Sequence, residues 1–85
     1  MIIYGCGKML RVNREKLGLS LLDVSKRTGL AKSNLSSIEL NKRNVSINIL
    51  YKILIDGLLI RPDHSLALIT SWQIMYMHEY MKKLH

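Results

Sequence analysis

Four polar side chains in one short stretch have the types and the spacing to contact an extended ligand side by side. Lys32, Ser33, Ser36 and Ser37 stand at i, i+1, i+4 and i+5, so a helix presents them on one face. Hydroxyls can donate to or accept from the edges of bases, and a lysine reaches guanine or phosphate. Because nothing bulky accompanies them, such a face fits against the floor of a DNA groove. A solvated helix face is the alternative when the stretch is taken alone.

The residues before this face predict a short helix with a fixed start. Ser20 can cap it, and Asp23, three residues later, completes a capping box in which Asp replaces the usual Glu. Leu19 and Val24 have the spacing of a hydrophobic staple across the same start. Together these signals predict a helix over residues 21–28.

A glycine corner joins this helix to the one that carries the polar face. Gly29 can adopt the left-handed backbone that ends a helix and permits a sharp turn. The next helix is predicted over residues 32–39, where Leu35 and Ile38 lie on the side opposite the lysine and the serines. The pattern predicts two helices at an angle, the second with an inner apolar side and an outer polar side.

The flanking sequence predicts three more helices. They are expected over residues 8–17, 47–56 and 62–83. Leu10 and Leu17 are the expected buried residues of the first, and Ser46 is the expected cap of the second. Residues 1–7 contain two glycines, which oppose a helix, and are expected to form an extended or loosely ordered arm. The predicted fold class is therefore all-α, with five helices.

The last predicted helix has more apolar residues than one side of a helix can bury. They point in nearly every direction, and the core of the domain can cover only one face. Because exposed apolar patches on small proteins usually mark interfaces, we expect a partner, most simply a second copy of the chain. The residues assigned to this interface are Leu68, Trp72, Met75, Tyr76 and Tyr80.

The charge of the chain favours a polyanionic partner. Thirteen Lys and Arg oppose six Asp and Glu among 85 residues, which gives a net charge of +7. Residues 1–61 hold eleven of the cations and four of the anions, whereas residues 62–85 hold two of each. Nucleic acid is the usual partner of such a concentrated positive field, because phosphate neutralisation dominates affinity. An anionic membrane surface and solubility alone are the alternatives.

The sequence contains no motif for catalysis or metal binding. His78 begins a stretch similar to a zinc-protease helix, but Lys82 stands where the second histidine is required. His64 and His85 lie elsewhere, and one cysteine cannot complete a structural zinc site. No phosphate-binding glycine loop, nucleophile elbow or acid pair is present. We therefore expect neither enzymatic activity nor a metal or other cofactor.

The expected location is the cytoplasm. Cys6 is the single cysteine, so the chain has no internal disulfide framework, as is typical of a reducing compartment. The apolar start of the chain is too short for a signal peptide and lacks leading cations. No apolar run approaches the length of about 20 residues that spans a bilayer.

The segment from Leu10 to about Leu58 resembles the helix-turn-helix family of phage repressors and Cro-like regulators. The matching residues are Arg14, Gly18-Leu19-Ser20, Ser25, Gly29, Leu30, Leu35, Ile38, Glu39, Asn41-Lys42-Arg43 and Ser46. This resemblance implies a five-helix DNA-binding domain whose third helix enters the major groove, usually as a homodimer on a palindromic operator. Residues 1–85 would then form one domain, with a DNA-binding core at 8–58 and a dimerisation helix at 62–84.

The family pattern also assigns roles to individual residues. Base-reading positions correspond to Lys32, Ser33 and Ser37, and Ser36 lies beside them. In family members the loop after the third helix runs along the phosphate backbone of the DNA, and here that loop contains Asn41, Lys42 and Arg43. We add Arg11 and Lys26 as further phosphate contacts. Arg14 and Glu39 match a salt bridge that joins the first helix to the end of the third. That pair has a structural role, since removing one member leaves the charge of the other without a partner.

Three residues depart from the family pattern. Leu21 replaces a glutamine that often contacts phosphate, and Ala31 stands where a Ser or Thr usually caps the recognition helix. Loss of such a cap costs about 1 kcal/mol. Asn13 occupies a position in the first helix that is usually apolar.

These features predict a small dimeric transcriptional regulator that binds specific double-stranded DNA. Two alternatives remain open. An antitoxin would bind a toxin through its last helix and use DNA binding only for autoregulation. A protein-interaction module would turn its basic face to an acidic protein or a membrane. Co-purification of a small protein in fixed ratio would favour the antitoxin, whereas a preference of about a thousandfold for one duplex would exclude the interaction module.

Overall fold

A computed structural model describes residues 1–84 of the chain and shows five helices with one short sheet; His85 lies outside the described residues. The helices span Gly7–Lys16 (α1), Leu21–Thr28 (α2), Lys32–Glu39 (α3), Ile47–Lys52 (α4) and Pro62–Lys83 (α5). Two strands, Ile2–Ile3 (β1) and Val45–Ser46 (β2), pair antiparallel. The predicted all-α, five-helix fold with a helix-turn-helix pair and a long last helix is confirmed.

The N-terminal segment is more regular than its glycines suggest. β1 pairs with β2, and the Ile47 amide donates to the Met1 carbonyl over 2.8 Å. Gly7, which we predicted to lie in the arm, is instead the first residue of α1. It begins the helix because its amide has a partner from elsewhere in the fold, the Asn41 Oδ1 at 2.9 Å. The assignment of Gly7 to an arm is therefore wrong.

The end of α1 explains a second difference. Leu17 was expected in the core, but 51% of it is exposed. The helix ends at Lys16, and Gly18 turns the chain with a φ of +69°. The Leu19 amide then donates to the Arg14 carbonyl over 3.2 Å, which closes a Schellman motif. Leu19, rather than Leu17, packs against the core.

One apolar core joins every element of the fold. Its buried residues are Ile3, Cys6, Leu10, Val24, Leu35, Ile38, Val45, Leu50, Ile53, Leu54, Leu58 and Ile69. Burial raises the pKa of the Cys6 thiol, which stays neutral and packs as a small apolar side chain. Because both α2 and α3 contribute to this core, each has one side fixed and one side free.

The fourth helix changes its winding after its second turn. Ser46 caps α4 by accepting a hydrogen bond from the Ile49 amide at 3.2 Å. From Ile53 the backbone continues as a π-helical turn to Gly57, rather than as the α-helix predicted to about residue 56. This wide turn brings Gly57 against α2, where an added Cβ would lie 2.8 Å from Val24 Cγ1. Because Gly57 has no side chain, its backbone packs directly against the side chains of Val24 and Thr28 on α2.

Only the first half of α5 packs on the core. Ser65 and Ile69 are buried and Trp72 is partly covered, whereas the residues from Ile74 to Leu84 are exposed. Much of this exposed half is apolar, as the sequence predicted. Among residues 1–84, no helix combines the length and the apolar character needed to cross a bilayer.

Substituting Gly7 with alanine is expected to destabilise the protein by about 1–3 kcal/mol, the usual cost of overpacking. A Cβ at this position would collide with the backbone carbonyls of Ile38 and Glu39, which cannot move without shifting α3. Denaturant unfolding measures the loss. The neighbouring Lys8→Ala is the control, since Lys8 is exposed and its change should stay within about 0.5 kcal/mol. Equal stabilities for the two variants would contradict the close approach.

Candidate nucleic-acid interface

The third helix separates its apolar and polar residues across its two sides. Leu35 and Ile38 are 3% and 5% exposed and face the core. Lys32 and Ser33 are exposed, and Ser36 and Ser37 are partly exposed. The fold thus brings all four predicted base-reading residues to the outer side of α3, where they can contact a ligand.

The start of α2 is held by reciprocal hydrogen bonds. Ser20 Oγ accepts from the Asp23 amide at 3.0 Å, and the Asp23 carboxylate accepts from the Ser20 amide at 2.8 Å. The bond from the backbone amide holds the pKa of Asp23 below its usual value, because it stabilises the carboxylate. This is the capping box that the sequence predicts, and it fixes the first helix of the pair.

Side chains also cross the corner between α2 and α3. Gly29 has a φ of +75° and ends α2 in the left-handed conformation. Ser25 Oγ donates to the Leu30 carbonyl at 2.6 Å. Thr28 Oγ1 donates to the Val24 carbonyl at 2.8 Å and accepts from the Leu30 amide at 3.2 Å. These bonds satisfy the polar groups of the corner and set the angle at which α3 leaves it.

The first turn of α3 has no side-chain cap. Ala31 occupies the cap position in an extended conformation, and only its carbonyl takes part, accepting from the Leu35 amide at 3.0 Å. Support for this helix therefore comes from its packing and from contacts at its other end.

That other end is joined to α1 by a bidentate ion pair. Arg14 Nε lies 2.7 Å from Glu39 Oε2, and Arg14 Nη2 lies 3.0 Å from Glu39 Oε1. Arg14 Nη1 also donates to the Leu19 carbonyl at 2.7 Å. The side chains are 13% and 11% exposed, and the hydrogen bond to Glu39 raises the pKa of Arg14. One guanidinium thus connects α1, the end of α3 and the segment before α2.

The loop after α3 is held by hydrogen bonds at its start. Asn41 has a φ of +58°, and its amide donates to the Ile38 carbonyl at 3.1 Å. The Lys42 amide donates to the Ser37 carbonyl at 2.9 Å. Because Asn41 Oδ1 already accepts from Gly7, this side chain has a structural role beside the phosphate contact predicted for it.

The cations assigned to phosphate binding have different surroundings. Lys42 and Lys26 are exposed, and Arg43 is exposed but donates to Asn34 Oδ1 at 2.8 Å. Arg11 is exposed and forms an i,i+4 pair with Glu15 at 2.8 Å, and this hydrogen bond raises the pKa of Arg11.

Two polar residues that the sequence did not single out also make contacts. Arg27 donates to the Gly57 carbonyl at 3.0 Å and so helps to hold α2 against the end of the π-turn. Asn34 accepts the bond from Arg43. Its position one residue after Ser33 was a signal that it borders the polar face of α3. No sequence pattern distinguishes Arg27 from its neighbour Lys26.

A groove between α1 and α5 contains most of the residues assigned to a protein interface. Leu68, Trp72, Met75 and Tyr76 line it from α5, opposite Met9 and Val12 of α1. The rings of Trp72 and Tyr76 lie 5.5 Å apart. Tyr80 is 52% exposed and lies outside the lining of this groove. The groove is open and largely apolar, so a helix from a partner has space and contact area.

The part of the chain that the structure describes offers no metal centre. Within residues 1–84, no three His, Cys, Asp or Glu side chains are grouped so that they could hold a metal ion. Both His64 and His78 are exposed.

Comparison with known proteins agrees with this architecture. The sequence pattern of a family described as a helix-turn-helix domain matches residues 7–55, which is over half of the chain. The crystal structure of the wild-type restriction-modification controller protein C.Esp1396I superposes with a TM-score of 0.67 and 23% identity, over 76% of this chain and 82% of that one. A tyrosine-to-phenylalanine mutant of the same controller gives a TM-score of 0.67 and 25% identity, over 79% and 85%. No curated protein matches the chain in sequence.

Removing the carboxylate of Glu39 is expected to affect folding before it affects recognition. Glu39→Ala leaves the Arg14 guanidinium without its partner in a largely covered position, which should cost about 3 kcal/mol. Thermal unfolding measures this loss. The control variant Glu15→Ala loses the exposed pair with Arg11 and only a longer contact of 4.0 Å with Arg14, so the melting temperature should hardly change. A Glu39→Ala protein with normal thermal stability and no DNA binding would refute the order of these effects.

Proposed function

This chain belongs to the helix-turn-helix domain family, and from that premise we propose that it is a transcriptional regulator that binds specific double-stranded DNA as a homodimer. The observation that carries the proposal is the two-sided α3. Its apolar residues are fixed in the core, while a lysine and three serines remain on the outside. The polar contacts at the corner and the Arg14–Glu39 pair hold this outer side in one orientation.

In the proposed complex α3 lies in the major groove. Ser33, Ser36 and Ser37 are short enough for the helix to approach the base edges closely, and their hydroxyls can donate or accept there. Lys32 begins the helix and can reach guanine or the phosphate beside it. These four residues supply the sequence preference.

Phosphate contacts orient the protein on the duplex. We assign them to the exposed Lys42 and Arg43 of the loop after α3, and further to Asn41, Arg11 and Lys26, which are exposed as well. A net charge of +7 supports this assignment, since each neutralised phosphate releases condensed counterions. Binding should accordingly weaken steeply with salt.

Two copies of the chain would associate through the groove between α1 and α5. Leu68, Trp72, Met75 and Tyr76 would form the centre of this interface, and Tyr80 its margin. A two-fold dimer places two copies of α3 on half-sites about one helical turn of DNA apart, so the operator is expected to be palindromic. Residues 8–58 would then serve as the DNA-binding core and residues 62–84 as the dimerisation helix of one domain.

The likeness to a restriction-modification controller suggests the kind of regulator to which this chain is similar. We place this chain in the same regulatory class, with no enzymatic activity and no cofactor. It would act in the cytoplasm and be controlled by its own concentration, because dimerisation and DNA binding both depend on concentration.

An antitoxin is a second candidate, and the far side of α5 favours it. Ile74, Met77 and Met81 are 65%, 54% and 48% exposed and lie outside the groove. They leave an apolar surface that the proposed homodimer does not cover. A toxin bound there would co-purify with the chain in fixed ratio.

Selection of preferred duplexes from a random pool tests the function directly. We expect one palindromic sequence to bind about a thousandfold more tightly than random DNA. Lys42→Ala should weaken binding to every sequence alike and lower the salt slope by about 1, whereas Ser37→Ala should alter which sequence is preferred. If both variants merely weaken all binding equally, the assignment of the base-reading residues is wrong. If no duplex is preferred, the proposal that the chain is a sequence-specific regulator is wrong.

Light scattering tests the dimer. At tens of micromolar the chain should be a dimer, and Met75→Glu should make it a monomer, because a carboxylate would be buried in the apolar groove. The control is Ile74→Glu, on the same helix but outside the groove, which should leave the dimer intact. A wild-type monomer at this concentration, or equal effects of the two variants, would contradict the proposed interface.

A further inference from the structure

One cation of the loop after α3 is attached to α3 itself. Arg43 Nη1 donates to Asn34 Oδ1 over 2.8 Å, between residues nine positions apart. The backbone on both sides of Arg43 is also held, since the Lys42 amide bonds to the Ser37 carbonyl and Val45 pairs with Ile3. The guanidinium therefore has a defined position beside the recognition helix in the free protein.

Asn34 lies at the border of the polar face of α3. It follows Ser33 directly and precedes Ser37 by three residues, so Ser37 is its neighbour on the helix surface. Asn34 also lines a crevice together with Ile38 and Arg43. A side chain held by Asn34 is thus placed along the edge of the four base-reading residues.

From this geometry we infer that Asn34 is a positioning residue that directs Arg43 to a base edge. Arg43 then reads a guanine next to the bases contacted by the serines, instead of holding a phosphate only. This inference rests on the proposed function and assigns its specificity to two further residues. A guanidinium has five donors, and the bond to Asn34 uses one of them. The remaining donors can form the bidentate contact with guanine O6 and N7.

The neighbouring Lys42 provides a contrast within the same loop. Its ammonium is a compact charge that cannot form a planar fork, and its side chain is exposed. Holding an arginine in place before binding lowers the ordering cost of the contact that it makes. Lys42 is therefore suited to a phosphate, and Arg43 to a base.

The test is a double-mutant cycle in which the base preference of each variant is measured. The preferred duplex of the wild-type protein is compared with duplexes changed at each base pair, for Asn34→Ala, Arg43→Ala, Arg43→Lys and the double alanine variant. We expect both Arg43 variants to lose about tenfold or more of the preference for guanine at one base pair. Asn34→Ala should lose part of the same preference, and it should cause no further loss when Arg43 is already alanine.

One further variant and one further measurement distinguish a positioning role of Asn34 from a role in folding and from direct contact with a base. Asn34→Asp keeps an acceptor for Arg43, so it should retain the guanine preference although its charge weakens binding to all DNA. Thermal unfolding of each variant should match the wild type, because Arg43 is exposed and Asn34 only half-buried.

Several results would overturn the inference. If Arg43→Lys or Asn34→Ala weakens all sequences equally, Arg43 holds only a phosphate. If Asn34→Ala changes the preference when Arg43 is already alanine, Asn34 contacts the base itself. These outcomes leave the proposed function intact as long as the wild-type protein still prefers one duplex. A wild-type protein without any preferred duplex would overturn both the proposed function and this inference.

Discussion

The orientation of α3 depends on the contact between its C-terminal end and α1, which involves both ends of α1. The Arg14–Glu39 pair crosses this contact, Asn41 caps the first amide of α1, and Gly7 lets the two backbones approach. A partly covered ion pair adds little net stability compared with apolar packing, but it strongly penalises arrangements in which either charge lacks its partner. The contact therefore selects one placement of α3 among the several that the apolar core alone would permit.

The remaining polar contacts have the same effect at other points of α3. Its N-terminal end lacks a side-chain cap at Ala31, and the bonds of Ser25 and Thr28 across the corner hold the chain just before it. Leu35 and Ile38 fix its rotation by packing in the core. Position, angle and rotation of the helix are thus set by three separate groups of residues, none of which lies on its outer face. That face is free to differ between related proteins without loss of the fold.

Much of this architecture could be predicted from local sequence signals. The bounds of α2, α3 and α5 follow from Ser20, Gly29 and Pro62, each of which acts within a few residues of the chain. Leu17 was misplaced because helical periodicity counts it with Leu10, whereas the Schellman motif at Gly18 interrupts that periodicity. The outer residues of α3 were predicted together because a helix places them on one side.

Other features depend on contacts between distant residues, which local patterns do not encode. Gly7 begins a helix because Asn41 lies beside it, 34 positions further along the chain. The π-turn at residues 53–57 arises where Gly57 meets α2, and no composition signal marks it. The Asn34–Arg43 bond likewise depends on how the loop after α3 folds back. Base-reading roles remain predictions, since they concern a ligand rather than the chain itself.

The pairing of β1 with β2 affects the order in which parts of the protein can fold during translation. Ile2 and Ile3 lie opposite Ser46 and Val45 in the sheet, so the ribosome must add more than forty residues before β1 can find its partner. Closing so long a loop carries an entropic cost that is recovered only when the distant contacts form. The residues of β1 therefore stay unpaired until the chain has been translated as far as β2.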